Sequence, residues 1–315
     1  MNYSNVVQTS EEYKKLCDEI SNNKLFHAYL VKTEDTNYAE NFCACVAAKL
    51  LNTDVSKIHT KTHPDVTIIG ENGKISVENI NDVVANLYVR PYSADKKVYI
   101  FYNADNMNEQ SQNKLLKSLE EPPKDVIFLF SCKSTKTILQ TVLSRMSVIE
   151  LSNIPDDKII NLLTESGTSD DVAQIVTSVC AGNSTLASKL TNQKFIDEYN
   201  LIFDLLINLK GSRDCLTYAS KIDPKQVDLT EFIDTYMIIV RDVMVYISGA
   251  QKLVKNKHHM RSIENIANQF TLTACNNILA ECLQLKEDLY YNTNKVAVID
   301  RLILKTAEEK AKCKK

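Results

Sequence analysis

The first half of the chain alternates short apolar runs with amphipathic stretches, and this alternation limits the possible folds more than any other feature. Five apolar runs have the length of buried strands: 28–31, 66–69, 98–102, 126–131 and 148–151. Stretches with apolar residues at helical spacing lie between them at 38–51, 77–87 and 109–119, and Ser76 is placed to cap the second of these. Strands that alternate with helices predict an α/β fold with a five-stranded parallel sheet, covered on both faces.

The remainder of the chain has only helical periodicity. Residues 153–192 contain short helical segments, with Asp156 or Asp157 opening one and Gly182 interrupting another. Longer amphipathic stretches follow at 195–209, 229–248, 260–270, 272–285 and 296–305. We therefore predict three domains: an α/β domain over 1–152, a small helical lid over 153–192 and an all-α bundle over 193–315. The lysine-rich end, 310–315, is expected to be a solvated helix terminus.

Composition limits the classes of protein to which the chain can belong. A net charge of -3 over 315 residues argues against a generally basic nucleic-acid binder. The nine cysteines are scattered, odd in number and mostly set among apolar residues, which favours a reducing, cytoplasmic location. Residues 1–10 do not resemble a signal peptide. No apolar run reaches the roughly 20 residues of a membrane-spanning helix, so no membrane partner is expected.

Three segments between residues 103 and 146 carry the most specific pattern in the sequence. Residues 103–108 read NADNMN, residues 112–123 read QNKLLKSLEEPP, and residues 141–146 read TVLSRM. This order resembles the AAA+ subunits of DNA polymerase clamp loaders, in which an Asn-rich helix ending in LEEPP is followed by a Ser-Arg-Cys turn. Met146 takes the place of the cysteine. The resemblance implies an AAA+ fold for the α/β domain, and a C-terminal bundle that forms the collar through which such subunits join into a ring.

The turn after the first predicted strand lacks the features of a phosphate-binding loop. Such a loop needs glycines that let backbone N–H groups face the phosphates, and a lysine that reaches the outer phosphates. Residues 31–38 read VKTEDTNY, without glycine, and against the family pattern the loop is about four residues too short. Glu34 and Asp35 would also repel anionic phosphates. We expect no productive ATP binding and no bound cofactor.

Other elements that an ATP-hydrolysing relative would use are absent as well. By resemblance, Tyr102 and Asn103 stand where an Asp-Glu pair would hold Mg²⁺. Cys132 and Lys133 occupy the first sensor positions, and Leu186 stands where an ATP-reading arginine would lie. Hydrolysis by this chain itself is therefore not expected.

No metal site is expected either. Asp105 is interpreted as a cap of a helix or turn, together with Asn106 and Asn108. Relatives often carry a zinc module of four cysteines after the first helix, but no cysteine lies between residues 45 and 132. His258 and His259 are interpreted as a solvated loop or a phosphate contact, not as metal ligands.

The helix over 109–119 is expected to stop at Glu120 and Glu121, because two prolines follow. We interpret these glutamates as exposed groups at a helix end rather than as a catalytic pair. Asn113 is expected to stabilise local backbone.

Arg145 is the residue to which the resemblance assigns a chemical role. In the related assemblies the arginine of this turn reaches into the ATP site of a neighbouring subunit and stabilises the transferring phosphate, as an arginine finger supplied in trans. Ser144 supports the same motif. A second interpretation stays open, in which Arg145 forms an ion pair within the chain with Glu120, Glu121 or Glu150.

The resemblance implies a clamp-loader subunit that does not hold ATP and has no intrinsic ATPase activity. It would act as a rigid stator within a DNA polymerase holoenzyme and present Arg145 to an adjacent gamma/tau-type subunit. Its partners would be gamma/tau-type and delta-type subunits, with the sliding clamp and primed DNA reached through the complex. Two alternatives stay open: an AAA+ ATPase with a cryptic nucleotide site, and a delta-type subunit that binds the clamp through exposed apolar residues, for which the sequence shows no clear anchor.

Overall fold

The computed structural model describes residues 3–291 and 293–313. Its sheet is built from β1 (Ala28–Lys32), β2 (Val66–Ile69), β3 (Lys97–Phe101), β4 (Val126–Cys132) and β5 (Ser147–Glu150). The five strands lie in the order β2-β3-β4-β1-β5, and all neighbouring strands are parallel. The α/β fold with a five-stranded parallel sheet is therefore confirmed, and the ends of each predicted strand are within one residue of the observed ends.

The three inner strands are buried, whereas the two outer strands are only partly buried. β4 is buried at every residue, and β1 and β3 are buried except at Lys32 and Lys97. In β5 burial alternates, and Val148 is 44% exposed; β2 is fully buried only at Ile69. The prediction that all five runs are buried strands is wrong for β2 and β5, because each lies at an edge of the sheet with no strand beyond it.

Seven helices accompany the sheet within the described residues: α1 (Ser4–Thr9), α2 (Glu11–Ser21), α3 (Thr36–Leu50), α4 (Val55–His59), α5 (Val77–Asn86), α6 (Glu109–Glu120) and α7 (Gln140–Leu143). The three predicted helices correspond to α3, α5 and α6. Ser76 caps α5 as predicted, through a reciprocal pair of hydrogen bonds with Asn79. The other four helices were not predicted, since α1, α4 and α7 are too short for a periodic pattern and α2 buries only Leu16.

An aromatic layer forms the centre of the α/β core. The rings of Phe101 and Phe130 stack with centroids 4.6 Å apart, and Leu115 and Leu119 of α6 belong to the same core. Met146 is 8% exposed and is part of this core. The residue that replaces the cysteine of the family motif is therefore an apolar packing residue beside the Arg145 turn.

Packing divides the chain into two compact units. The first unit contains the chain up to Gly167 together with Gly182–Ser188, and the second contains Thr168–Ala181 and the chain from Lys189 onward. Helix α8 (Asp156–Glu165), which begins at a predicted position, lies in the first unit, and α9 (Asp170–Cys180) lies in the second. The three predicted domains, 1–152, 153–192 and 193–315, stay a prediction.

The return of 182–188 to the first unit depends on a glycine. Gly182 has a φ of +79°, and a Cβ at this position would lie 2.5 Å from the carbonyl oxygen of Ile154. The carbonyl oxygen of Gly182 accepts a hydrogen bond from the N–H of Ile154 at 3.0 Å. The short helix α10 (Ser184–Lys189) begins two residues later, so its start is fixed by backbone contacts that only glycine permits.

The second unit is helical, as predicted for the C-terminal bundle. After α9 it contains α11 (Gln193–Asn208), α12 (Ser212–Lys221), α13 (Leu229–Ile247), α14 (Met260–Ala267), α15 (Leu272–Tyr290) and α16 (Lys295–Lys312). Helix α12 was not predicted. Residues 292, 314 and 315 of the predicted bundle lie outside the described residues. In the part of the chain that the structure describes, no helix combines the length and apolar character needed to cross a membrane.

Lys310 differs from its sequence-based interpretation. Its side chain is 1% exposed, and its Nζ donates hydrogen bonds to the carbonyl oxygens of Leu206 at 2.6 Å and Ile207 at 2.8 Å. These carbonyls belong to the last turn of α11, where backbone acceptors lack partners within the helix. The expectation of a solvated terminus is therefore wrong for Lys310, which stabilises the C-terminal end of a neighbouring helix.

Candidate functional site

The connection between β1 and α3 consists only of Thr33, Glu34 and Asp35. Asp35 is the N-cap of α3, and its Oδ1 accepts a hydrogen bond from the N–H of Tyr38 at 3.1 Å. Asp35 is 4% exposed, whereas Glu34 is exposed to solvent. The anion position at the start of α3 is thus filled by a carboxylate of the chain itself. These residues do not fit a nucleotide phosphate.

The residues at the ends of β3 and β4 that stand at the positions of metal binding and sensing are Tyr102, Asn103 and Cys132, none of which is a carboxylate. Tyr102 is 4% exposed, and burial raises the pKa of its hydroxyl. Asn103 has a φ of +57° and donates its N–H to the Oγ of Ser131 at 3.2 Å. Burial, aided by the charge of Asp105, raises the pKa of Cys132 to about 12, so its thiol is neutral near pH 7. None of these three side chains can supply the carboxylate that would hold Mg²⁺.

The interpretation of Asp105, Asn106 and Asn108 as caps is correct for Asn108. Its Oδ1 accepts a hydrogen bond from the N–H of Ser111 at 2.8 Å and caps α6. Asp105 lies instead in a 3₁₀ turn over Ala104–Asn106, and its Oδ2 accepts a hydrogen bond from the N–H of Lys133 at 3.3 Å. The carboxylate thus connects this turn to the chain that follows β4.

The second sensor position contains an apolar side chain. Leu186 is partly buried, and its N–H donates to the Oδ1 of Asn183 at 2.9 Å. An aliphatic side chain has no donor for a phosphate oxygen. The side chain of Leu186 therefore offers no hydrogen bond to a phosphate.

Neither the cysteines nor the histidines form a metal centre in the described part of the chain. No group of three or more His, Cys, Asp or Glu side chains there could hold a metal ion, and none of the nine cysteines forms a disulfide bond. The Nε2 of His258 lies 3.2 Å from the hydroxyl of Tyr199. Burial, with the adjacent His259, lowers the pKa of His258 to about 4, and burial also lowers the pKa of His259. Both rings are therefore neutral near pH 7, which weakens the phosphate-contact interpretation.

Arg145 lies on the turn that follows α7. Its Nη1 donates to the carbonyl oxygen of Thr141 at 2.6 Å and to the Oγ of Ser144, the C-cap of α7, at 3.3 Å. Its Nη2 forms an ion pair with the Oε1 of Glu120 at 2.6 Å. The side chains of Arg145 and Glu120 are 33% and 48% exposed. The structure therefore brings Arg145, Ser144 and Glu120 together at the surface.

Of the three glutamates considered as partners for Arg145, the structure selects Glu120. Glu150 pairs instead with Lys32 at 2.7 Å, and Glu121 is the exposed C-cap of α6. The intramolecular ion pair is thus present, and the role of Arg145 in trans stays a prediction. An exposed pair of this kind does not by itself decide between the two interpretations, because it is easily exchanged.

Gln112 holds the segment that leads into α7, and sequence reasoning missed it. It is 1% exposed, and its Nε2 donates to the carbonyl oxygens of Met107 and Thr137, each at 3.0 Å. Its Oε1 accepts the N–H of Leu139 at 2.8 Å. Backbone stabilisation, the role expected of the exposed Asn113, is thus performed by Gln112. The signal was available, because Gln112 precedes two buried leucines by three and seven residues and so lies on the buried face of α6.

Comparison with known proteins gives the relationship. The family described as "DNA polymerase III, delta subunit" matches residues 8–155. The "DNA polymerase III subunit delta'" of Bacillus subtilis (strain 168) is 23% identical over 317 residues, which cover 94% of this chain and 95% of that protein. The chain is thus similar to a delta-prime subunit of DNA polymerase III over nearly its whole length. The five-stranded parallel sheet and the helical region that follows it in the chain agree with the fold class expected from the sequence.

Two further similarities accompany this assignment. The "DNA polymerase III subunit gamma/tau" of Mycoplasma genitalium is 29% identical over 178 residues, which cover 52% of this chain and 30% of that protein. A crystal structure of a DNA polymerase III gamma subunit-related protein from Thermotoga maritima is 17% identical, with a TM-score of 0.46, and the match covers 95% of this chain and 100% of that one.

An exposed apolar loop lies between α5 and β3, in the first unit. Tyr88 is 71% exposed, Val89 56% and Tyr92 87%. The loop is held by Asp65, which is 2% exposed and accepts hydrogen bonds from the N–H groups of Tyr92, Ser93 and Ala94. Burial alone would raise the pKa of Asp65, but these hydrogen bonds outweigh it and lower the pKa. The exposed rings thus stand on an anchored loop, which favours a contact surface.

Proposed function

We propose that this chain is a clamp-loader subunit that binds no ATP and holds its gamma/tau-type and delta-type neighbours in place. It supplies Arg145 to the ATP site of the adjacent gamma/tau-type subunit. The observation that carries the proposal is the contrast between a filled anion position at Asp35 and an exposed guanidinium at Arg145. The complex would act in the cytoplasm, where it reaches the sliding clamp and primed DNA.

The surroundings of Arg145 suit an exchange of partners. Its ion pair with Glu120 is open to solvent, and such pairs contribute about 0–1 kcal/mol because water and salt screen them. Phosphoryl oxygens carry more negative charge than one carboxylate, and they match the planar donor fork of arginine. The contacts with Thr141 and Ser144 meanwhile hold the guanidinium near the turn. Arg145 can therefore leave Glu120 for a phosphate that a neighbouring subunit presents.

The test is the DNA-dependent ATPase rate of the reconstituted clamp loader that contains Arg145→Ala. An arginine finger is worth about 10³ to 10⁵ in rate, so the one ATP site that faces this chain should lose about 10³-fold or more. Lys117→Ala, which removes an exposed cation of α6, is the matched control. Gel filtration verifies that the complex assembles. An unchanged rate in an intact complex would leave only the scaffold role.

The absence of ATP binding is tested separately with the isolated chain. Calorimetric titration with Mg-ATP should show no binding heat, because Asp35 occupies the start of α3 and the β1–α3 connection lacks glycine. Saturable binding would instead support the alternative of a cryptic nucleotide site.

A second candidate function is direct clamp binding, and the exposed apolar loop favours it. The sequence showed no clear apolar anchor, but the exposure of Tyr88, Val89 and Tyr92 supports one on this loop. Aromatic side chains at an exposed position are typical anchors of protein interfaces. Surface plasmon resonance with the sliding clamp should then detect the isolated chain. Tyr88→Ser and Tyr92→Ser should weaken that signal, whereas Tyr290→Ser, at an exposed tyrosine of the second unit, should not.

A further inference from the structure

The carboxylate of Asp35 makes more contacts than a helix cap requires. Besides capping α3, its Oδ2 accepts a hydrogen bond from the N–H of Ser184 at 2.5 Å. Its Oδ1 accepts from the N–H of Thr185 at 3.2 Å and from the Oγ1 of Thr185 at 2.8 Å. The segment 182–188 and the start of α3 belong to the same unit. One buried carboxylate therefore joins two parts of that unit that are distant in sequence.

Thr185 extends this connection. Its Oγ1 accepts a hydrogen bond from the N–H of Asn37 at 2.8 Å and lies 3.1 Å from the Oγ1 of Thr36. Because the same hydroxyl donates to Asp35, it relays the first turn of α3 to the carboxylate. Both Ser184 and Thr185 therefore attach the segment to the start of α3.

The donors around Asp35 are of the kind that phosphate-binding loops offer to phosphate. They are the N–H groups of Tyr38, Ser184 and Thr185 and one threonine hydroxyl. Backbone N–H groups at a helix start bind anions because they lack partners within the helix and lie at its positive end. Here the anion is covalently part of the chain, so the contacts form without a ligand.

We propose that Asp35 is an internal latch that fixes 182–188 to the start of α3 and makes the position of this segment independent of nucleotide. The leucine in this segment, Leu186, has no donor for a phosphate, so the latch replaces the contact that an arginine there would make. The inference does not rest on the role of Arg145 in trans. A failure of either leaves the other standing.

Hydrogen exchange of the full chain, measured by mass spectrometry at residue resolution, tests the latch. Asp35→Asn keeps the shape of the side chain and removes its charge and one acceptor oxygen. The amides of Ser184 and Thr185 should then exchange at least about 10-fold faster, as expected for loss of one charge-assisted hydrogen bond. Amides of β4 should keep their protection. Glu34→Gln, at the exposed carboxylate next to it, is the matched control and should change neither amide.

Two further measurements keep the proposal open to refutation. Thr185→Val removes only the hydroxyl relay, so it serves where Asp35→Asn fails to fold, and it should speed exchange at Asn37 and Ser184. Mg-ATP added to the unmodified chain should leave exchange of 182–188 unchanged. Unaltered protection in a folded Asp35→Asn or Thr185→Val variant, or protection that rises with Mg-ATP, would overturn the latch.

Discussion

Two polar sites of the first unit use charge in opposite ways. At the start of α3, the carboxylate of Asp35 is 4% exposed and accepts hydrogen bonds from Tyr38, Ser184 and Thr185. On the turn after α7, the guanidinium of Arg145 is 33% exposed and pairs with a carboxylate that is itself 48% exposed. The first charge is committed to the fold, whereas the second can change partners.

The physical reason is solvation. A buried charge that loses its partners must bear the full cost of desolvation, so its hydrogen bonds are kept. An exposed ion pair that opens is rehydrated, and little free energy separates its closed and open forms. Burial therefore commits the charge of Asp35 to the fold, whereas solvent leaves that of Arg145 free to change partners.

The largest effect should come from Arg145→Lys, which tests whether the exposed guanidinium acts through its shape as well as its charge. Lysine keeps the charge but lacks the planar fork and the reach of two Nη donors. If Arg145 acts on a phosphate in trans, the rate at the facing ATP site should fall by at least about 10². Single-turnover ATP hydrolysis by the assembled complex measures it. A rate close to that of the unmodified complex would mean that charge alone, or no finger, is involved.

Asp65→Asn tests whether a second buried carboxylate is also committed to the fold. The asparagine would keep only one acceptor oxygen for the N–H groups that Asp65 binds, so the free energy of unfolding should fall by about 2–3 kcal/mol. Since the folded pKa of Asp65 is lowered, its contribution is present above the unfolded value of about 3.9 and is lost as pH falls through the folded pKa. Urea unfolding at several pH values should show a flatter acid limb in the variant.

The exposed Asp95→Asn, in the same loop region, is the control for that measurement and should leave stability within about 0.5 kcal/mol. An equal loss of stability in both variants would show that the buried Asp65 contributes no more than the exposed Asp95.

Gln112→Ala tests whether a buried amide supports the segment that leads into α7 and, after it, the exposed turn with Arg145. Loss of the amide leaves the carbonyl of Thr137 and the N–H of Leu139 without this partner, so stability should fall by about 2 kcal/mol. Thermal unfolding measures this, with Gln110→Ala on the exposed face of α6 as control. A smaller loss of ATPase in the complex should accompany it, and a stable variant with full ATPase would show that the turn does not depend on Gln112.

The smallest effect should come from Glu120→Gln. Removal of an exposed partner should change the free energy of unfolding by less than about 1 kcal/mol. The ATPase rate of the complex should be kept, because Arg145 no longer has a competing carboxylate. Differential scanning calorimetry and the ATPase assay measure the two quantities. A large loss of stability would contradict the view that this pair is readily exchanged.

The strands were predictable to within one residue because apolar runs and turns are local properties of the chain. Edge position was not, since it depends on which strand lies beside which, and so the exposure of Val148 was missed. Helices α1, α4 and α7 are too short for a periodic pattern, and α2 and α12 were missed although both are amphipathic. At the site, the sequence indicated Arg145 and Ser144. It assigned backbone stabilisation to Asn113, but the buried residue that makes these hydrogen bonds is Gln112.

Local residue types were enough to predict the α/β character of the first half, the lack of glycine after β1 and the end of the helix before Pro122 and Pro123. These features follow from local residue types, which act over a few neighbours. Three other contacts could be seen only in the folded chain: Asp35 binds residues about 150 positions away, Lys310 is buried against α11, and Arg145 pairs with Glu120. Such contacts depend on how distant segments pack, and burial then fixes some charges while solvent leaves others free to exchange.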